Sequence, residues 1–182
     1  MLALNLGMRE GELLGLQWEA VDFANHTIRV HQQVQPNIDG KLELMDTKSL
    51  KGHRLLPMTD DVVAALQAHK ARSARLRLQA GSSYVFTTRT GKPHGARNVI
   101  RAFKRALKRA GLAEIRFHDL RHSCNSLLEA QGVSARVRME ILGHSDIRLT
   151  ENVYTHVVPA SLRTAAEGLG RVLTLAKRES VV

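Results

Sequence analysis

The sequence predicts a mainly helical α+β domain that carries a small three-stranded antiparallel sheet. The predicted strands are short and lie within residues 26–58, and the first of them carries β-branched residues. Most later segments repeat apolar residues at helical spacing, and glycines or a proline mark their ends. A length of 182 residues with 43% apolar residues suits one core. We therefore expect a single domain over residues 1–182.

The N-terminal third is predicted to hold two short helices followed by the strands. Residues 2–6 resemble the last turns of a helix closed by Gly7, and a second helix is expected over about 9–16. The three strands are predicted at residues 26–35, 41–46 and 53–58. Turn-forming pairs separate them: Pro36-Asn37, Asp39-Gly40 and Lys51-Gly52.

The remainder of the chain is predicted to be helical, apart from an extended piece at 84–86. Thr59 followed by two aspartates is typical of a helix start, because such side chains cap free N–H groups and favour the positive end of the helix dipole. The predicted helices are residues 59–79, 96–110, 119–131, 134–142, about 147–155 and about 159–177. Val99, Phe103 and Leu107 form the apolar stripe of the second of these.

The chain is strongly basic, with 27 Lys+Arg against 17 Asp+Glu and a formal charge of +10. This excess indicates a polyanionic partner: nucleic acid first, an anionic membrane surface second. A basic surface without a specific partner is the remaining alternative. Arginine outnumbers lysine 19 to 8, which favours bidentate phosphate contacts. Only seven residues are aromatic, which disfavours a base-stacking platform for single strands.

Several classes of protein are disfavoured by the same sequence. No apolar run approaches the roughly 18 residues of a membrane-spanning helix, and no basic region precedes the apolar N-terminal stretch, as a signal peptide requires. The single cysteine, Cys124, excludes an intramolecular disulfide and gives no hint of a zinc site. The sequence therefore predicts a soluble, intracellular domain without a metal.

His118 and Arg121 form an HxxR pair whose spacing alone proves nothing. Four such pairs occur, beginning at His26, His69, His94 and His118, and about one is expected by chance at this composition. Context separates the fourth pair. His144 follows Arg121 by 23 residues in the phrase LGHS, and Tyr154 follows ten residues later in ENVYTHV.

Two more phrases complete an ordered series: GMREGELLGLQW around Arg9, and TKS around Lys48 at the turn between the second and third predicted strands. The series Arg9, Lys48, His118, Arg121, His144 and Tyr154 resembles the catalytic domain of the tyrosine recombinases, the phage integrase family. The resemblance covers essentially the whole chain. It implies the fold of that catalytic core and cutting and rejoining of double-stranded DNA without a cofactor or metal. It also implies a homotetramer on DNA, with a monomer as an alternative state of the free protein.

The residue types make chemical sense of that activity. Rejoining DNA without an energy source requires a covalent intermediate, and a tyrosine oxygen attacking phosphorus provides one. Two guanidiniums, Arg9 and Arg121, suit the non-bridging oxygens and the charge that develops on them. The resemblance implies that Lys48 is the general acid, that His118 assists proton transfer and that His144 hydrogen-bonds the phosphate. It also implies that Glu12 helps to hold the basic groups.

Additional basic residues are candidates for contacts with the DNA backbone. They lie on the predicted helix at 96–110 and in the turn before it: Arg89, Lys92, Arg97, Arg101, Lys104, Arg105 and Lys108. The alternative is the solvated side of an amphipathic helix. In the same way, Tyr154 taken alone is compatible with a structural tyrosine, and Arg9, Arg121 and Lys48 with ordinary surface charges.

The resemblance carries further expectations about the whole protein. Family members have an N-terminal DNA-binding domain, whereas Arg9 lies eight residues after Met1, so we expect that domain to be absent and the first helix to be truncated. The C-terminal helix, with Leu162, Leu169, Leu173 and Leu175, either docks on a neighbouring protomer or packs on its own domain. The expected location is the cytoplasm, in association with the nucleoid, for a protein of bacterial or phage origin. The alternatives are a type IB topoisomerase and a non-catalytic DNA-binding remnant.

Overall fold

The computed structural model describes residues 1–46, 53–75, 82–143 and 160–179, and it confirms the mainly helical class with small antiparallel sheets. The helices are α1 (Leu2–Asn5), α2 (Glu10–Gly15), α3 (Asp60–Arg75), α4 (Ala96–Arg109), α5 (Asp119–Ala130), α6 (Ala135–Leu142) and α7 (Ala160–Glu179). The strands are β1 (Val21–Asp22), β2 (Thr27–Val30), β3 (Gln32–Pro36), β4 (Leu42–Asp46) and β5 (Arg54–Pro57). The predicted helix at about 147–155 lies outside the described residues. No described helix has both the length and the apolar character needed to span a bilayer.

The strands form two sheets, whereas the sequence predicted one. The predicted strand at 26–35 is divided at His31 into β2 and β3. The three-stranded sheet has the order β1-β2-β5, and β3 pairs with β4 in a separate two-stranded sheet. The difference follows from burial: β5 carries Leu56 into the core opposite Ile28, whereas every residue of β4 is exposed. The apolar strand therefore pairs with the core strand, and β4 pairs locally with β3.

The predicted helices are confirmed where the structure describes them. Helices α4, α5 and α6 end one or two residues before the predicted stops at Gly111, Gly132 and Gly143. Thr59 precedes α3 as expected and accepts from the Val63 N–H through its carbonyl at 3.0 Å. Its hydroxyl is buried without a hydrogen bond to the described residues, so the predicted side-chain cap is wrong.

One hydrophobic core joins both ends of the described chain. Leu6 and Met8 from the segment around α1, Ile28 from β2 and Leu128 from α5 are all at most 2% exposed. Leu162 and Leu169 of α7 enter the same core, and Leu173 packs against it. Through these three leucines, α7 packs on its own domain. The core brings the end of α1, the start of α2, β5, α5 and the end of α6 together, and the candidate site lies where they meet.

Candidate active site

Arg9 is held at the N-terminus of α2 by Glu12, one helical turn later. The Glu12 carboxylate accepts from the backbone N–H of Arg9 at 2.8 Å and from its Nη1 at 2.8 Å. The first contact is one half of a capping box, in which the side chain at the third helical position accepts a hydrogen bond from the backbone N–H of the residue before the helix. Nη2 of Arg9 donates to the carbonyl of Gly143 at 2.9 Å. The Arg9 side chain remains 37% exposed, so it is accessible to solvent although its hydrogen bonds hold it in place.

Glu12 also binds a second arginine, Arg54 of β5, which the sequence analysis did not single out. Nη1 and Nη2 of Arg54 donate to the two carboxylate oxygens at 3.0 and 2.8 Å, and its Nε donates to the carbonyl of Ile141 at 2.8 Å. Both side chains are almost fully buried, at 5% and 1% exposure. The sequence does contain a signal that Arg54 is buried, because Arg54 alternates with the core residues Leu56 and Met58 and therefore shares their side of the strand.

Arg121 lies on α5 and is buried, with 4% exposure. Its Nη1 donates to the carbonyl of Gly7 at 2.5 Å, and its Nη2 donates to the carbonyl of Leu142. Burial, together with the charges of Arg9 and Arg54, lowers the pKa of Arg121 to about 10. The side chain therefore remains cationic at neutral pH in an environment that favours a nearby anion.

His118 lies at the N-terminus of α5, one turn before Arg121. Its ring is 5.0 Å from that of His122, edge to face. Partial burial and the charges of His122, Arg121, Arg116 and Arg9 lower the pKa of His118. The imidazole is therefore neutral at pH 7 and able to accept a proton. His122, which the sequence analysis did not single out, contributes to this shift.

The structure thus brings Arg9, Glu12 and Arg121 together, with His118 on the same helix as Arg121. Lys48, His144 and Tyr154 lie outside the described residues, as does the turn that carries Lys48. The positions near two of them are described: β4 ends at Asp46 before Lys48, β5 begins at Arg54 after it, and Gly143 precedes His144. The roles of all six residues, and of Glu12, stay predictions.

All seven candidates for backbone contacts are exposed. Arg97, Arg101 and Arg105 recur every fourth residue of α4, which places them on one face. Leu107 on the opposite stripe is buried, with Val99 and Phe103 half-buried. Lys104 pairs with Glu114, and Arg101 donates to Asn98 at 2.7 Å. The helix therefore presents a basic face to solvent, which both interpretations of its sequence require.

Charge in the centre of the site is unbalanced. Arg9 and Arg54 both bind the carboxylate of Glu12, whereas the neighbouring Arg121 forms no salt bridge with any residue in the described part of the chain. Over the same residues, no three His, Cys, Asp or Glu side chains are grouped closely enough to hold a metal ion. The site is therefore suited to an anion that arrives from outside.

Glu12 makes the stability of the domain depend on pH in the acidic range. Burial alone raises the pKa of this carboxyl, but hydrogen bonds and charge from Arg54, together with hydrogen bonds from Arg9, lower it from 4.5 to about 2. Because the folded pKa is below the unfolded one, the stabilisation is complete above about pH 4.5 and is lost as the pH falls toward 2.

We expect Glu12→Gln to lower the free energy of unfolding by about 3 kcal/mol at neutral pH. Urea denaturation at several pH values measures the difference from wild type, which should shrink as the pH falls from 4.5 to 2. The exposed Glu19 provides a matched control, since Glu19→Gln should change stability little at any pH. A Glu12→Gln deficit that is the same at every pH would contradict this assignment.

Comparisons with known proteins identify the family of this chain. Residues 1–160 match the model of the phage integrase family, and the chain belongs to that family. A tyrosine recombinase XerC-like protein of Caldanaerobacter subterraneus subsp. tengcongensis is 34% identical over 185 residues, which cover 93% of this chain and 47% of the relative. An integrase of Streptomyces ambofaciens is 34% identical over 177 residues, 91% of this chain and 45% of the relative. The chain thus spans about half the length of these curated relatives.

The fold is that of the tyrosine recombinase and integrase catalytic domains. The Tn1549 transposon integrase, solved in complex with transposon right end DNA, aligns with a TM-score of 0.69 and 26% identity over 93% of this chain and 57% of that one. The XerA recombinase aligns with a TM-score of 0.64 over 90% of this chain, at 24% identity. The predicted family and fold class are thereby confirmed.

Proposed function

We propose that this chain carries the strand-cleavage site of a site-specific DNA recombinase that works through a 3′-phosphotyrosyl intermediate. The observation that carries the proposal is the cluster of three arginines near one carboxylate, with Arg121 buried and forming no salt bridge among the described residues. A phosphodiester provides the missing negative charge. Two of the five N–H donors of Arg121 bind backbone carbonyls, and we assign the others to a non-bridging oxygen.

The reaction then follows from the residue types. The Tyr154 oxygen attacks phosphorus, the bond from phosphorus to the 5′-oxygen breaks, and a 5′-hydroxyl leaves. Arg9 and Arg121 bind the non-bridging oxygens and stabilise the charge that grows on them in the transition state. His118, neutral at pH 7, takes the tyrosine proton, and Lys48 protonates the leaving 5′-oxygen. His144 donates to the phosphate. A 5′-hydroxyl from a partner strand reverses the attack and restores the tyrosine.

Double-stranded DNA is the proposed substrate and partner. The basic face of α4, with the exposed Arg89 and Lys92, would contact the phosphate backbone. The integrase and recombinase names of the relatives support exchange between two duplexes over relaxation of one. Exchange requires two strands cut in each of two duplexes, and we therefore propose that four copies of the protein act in pairs on DNA.

The proposal is tested by incubating the protein with negatively supercoiled plasmid at low salt. Relaxed plasmid together with protein–DNA complexes that resist SDS is the expected result, because attack by the enzyme leaves a covalent link and a free strand end. Nuclease sensitivity shows that the complexes contain DNA. A blocked 3′ end on the cut strand, together with a free 5′-hydroxyl, distinguishes this link from one of the opposite polarity. A 5′-linked adduct would overturn the proposed chemistry.

The α4 face yields a prediction about salt. The triple variant Arg97→Gln, Arg101→Gln, Arg105→Gln should reduce the slope of log affinity against log salt concentration by about 3, because each phosphate contact contributes about 0.9. Fluorescence anisotropy with duplex DNA at several salt concentrations measures the slope. Arg136, Arg163 and Arg171 are exposed arginines on α6 and α7, so their triple glutamine variant is the charge-matched control. Equal slopes for the two triples would exclude α4 as the backbone-contacting face.

A further inference from the structure

Three consecutive carbonyls at the C-terminal end of α6 each accept a hydrogen bond from a different arginine. The carbonyl of Ile141 accepts from Arg54, that of Leu142 from Arg121 and that of Gly143 from Arg9. The C-terminal carbonyls of a helix lack partners within it and carry a partial negative charge, which makes guanidiniums suitable caps. The end of α6 therefore fixes three arginines from three different elements relative to one another.

Arg54 differs from the other two arginines in what it connects. The Arg9 side chain is partly exposed, whereas the Arg54 side chain is 5% exposed and is directed into the protein by its bonds to Glu12 and Ile141. Glu12 in turn holds both the backbone and the side chain of Arg9. Arg54 thus links the support of Arg9 on α2 to the end of α6, directly before residue 144.

Gly143 supports this arrangement independently. It adopts φ +63°, a left-handed conformation that L side chains rarely occupy. A Cβ at this position would lie 2.8 Å from Nη1 of Arg54 and 3.2 Å from its Cζ. The backbone therefore passes directly over the Arg54 guanidinium as it leaves α6.

We propose that Arg54 is a positioning residue for strand cleavage, acting through Glu12 and the end of α6 to fix the position of Arg9 relative to Arg121. The inference rests on the proposed function. Arg54 does not touch the phosphate; it fixes the separation of the groups that do. An error of about 1 Å in such a constellation costs about 100-fold in rate, so Arg54 should affect cleavage far more than binding.

Arg54→Lys is the informative variant. Lysine keeps a positive charge beside the buried Glu12, but its single nitrogen cannot serve both carboxylate oxygens and the Ile141 carbonyl. Arg29→Lys is the matched control, since Arg29 is exposed on β2 and pairs in register with Leu55, next to Arg54. Each protein is assayed well below its own unfolding midpoint. The readouts are the rate of covalent adduct formation on supercoiled plasmid with saturating protein, and the Kd for the same DNA.

We expect Arg54→Lys to slow adduct formation about 100-fold, with Kd unchanged within about threefold and Arg29→Lys equal to wild type. Gly143→Ala, which disturbs the same contact from the other side, should reproduce the pattern. Equal rates for wild type and Arg54→Lys would overturn the role of Arg54. An Arg54→Lys protein that does not fold at any temperature would assign Arg54 to the fold alone and would also overturn it. An inactive wild type would instead overturn the proposed function.

A chemical rescue separates positioning from a general loss of structure. Once the cleaved position in the plasmid is mapped, a duplex carrying a neutral methylphosphonate there removes one non-bridging charge. The exact placement of the guanidiniums then matters less, so the deficit of Arg54→Lys relative to wild type should become at least about tenfold smaller. The same deficit on both substrates would contradict positioning of the arginines.

Discussion

Tyr154→Phe is expected to abolish covalent adducts on supercoiled plasmid while leaving the Kd for DNA within about twofold of wild type. Phenylalanine keeps the ring but lacks the oxygen that forms the bond to phosphorus, so no slower route to the same intermediate remains. Binding depends mainly on the basic surface, which the substitution does not touch. Adducts are measured on SDS gels with labelled DNA, and binding by anisotropy.

Tyr84 provides the control, because it is the only other tyrosine of the chain. It is half-buried and forms an isolated antiparallel bridge with Gln17. Tyr84→Phe should therefore form adducts at the wild-type rate. Adducts that persist in Tyr154→Phe, or that disappear in Tyr84→Phe, would remove Tyr154 as the nucleophile.

Arg121→Lys is expected to lower the rate of adduct formation by about 100- to 1,000-fold, the cost of removing one preorganised donor to a developing oxyanion. The planar fork of Arg121 binds the Gly7 and Leu142 carbonyls and still has N–H groups for a phosphate oxygen. Lysine cannot do both, although it keeps the charge. The rate at saturating protein and the Kd are measured together, so that loss in the transition state is separated from loss of binding.

The control for this variant is Arg116→Lys. Arg116 is exposed and pairs with Asp119 at 2.8 Å on the same helix as Arg121, so that exchange should have little effect. Removing two buried hydrogen bonds from Arg121 should also cost stability, about 1–3 kcal/mol, which is measured by urea denaturation. A full rate of cleavage in a folded Arg121→Lys protein would contradict the role assigned to the guanidinium.

The sequence alone predicted much of the fold, because its signals are local. The helix starting after Arg9, the glycine stops of α4 to α6 and the amphipathic α4 each depend on residues within one element. The division of the predicted strand at His31 was missed, since it depends on which distant strand reaches the core. Strand β1 was missed because two residues are too short for any alternation to appear.

The candidate site was predictable in part for the same reason. Arg9 immediately precedes α2 and lies three residues before Glu12, and His118 immediately precedes α5 and lies three residues before Arg121. Each pair therefore lies within one helical turn in any structure that keeps its helix. Arg54 was missed because its partners, Glu12 and Ile141, lie 42 and 87 residues away. A charged residue between core positions of a strand is a signal of burial, but it does not name the partner.

The most direct test of the proposed chemistry is to identify the residue that carries DNA. Plasmid adducts are digested with nuclease and trypsin, and the peptides that retain a nucleotide are sequenced by mass spectrometry. The account predicts one modified peptide, residues 149–163, with the nucleotide joined through its 3′-phosphate to Tyr154. A nucleotide on Tyr84 or on any other residue of the chain would contradict it.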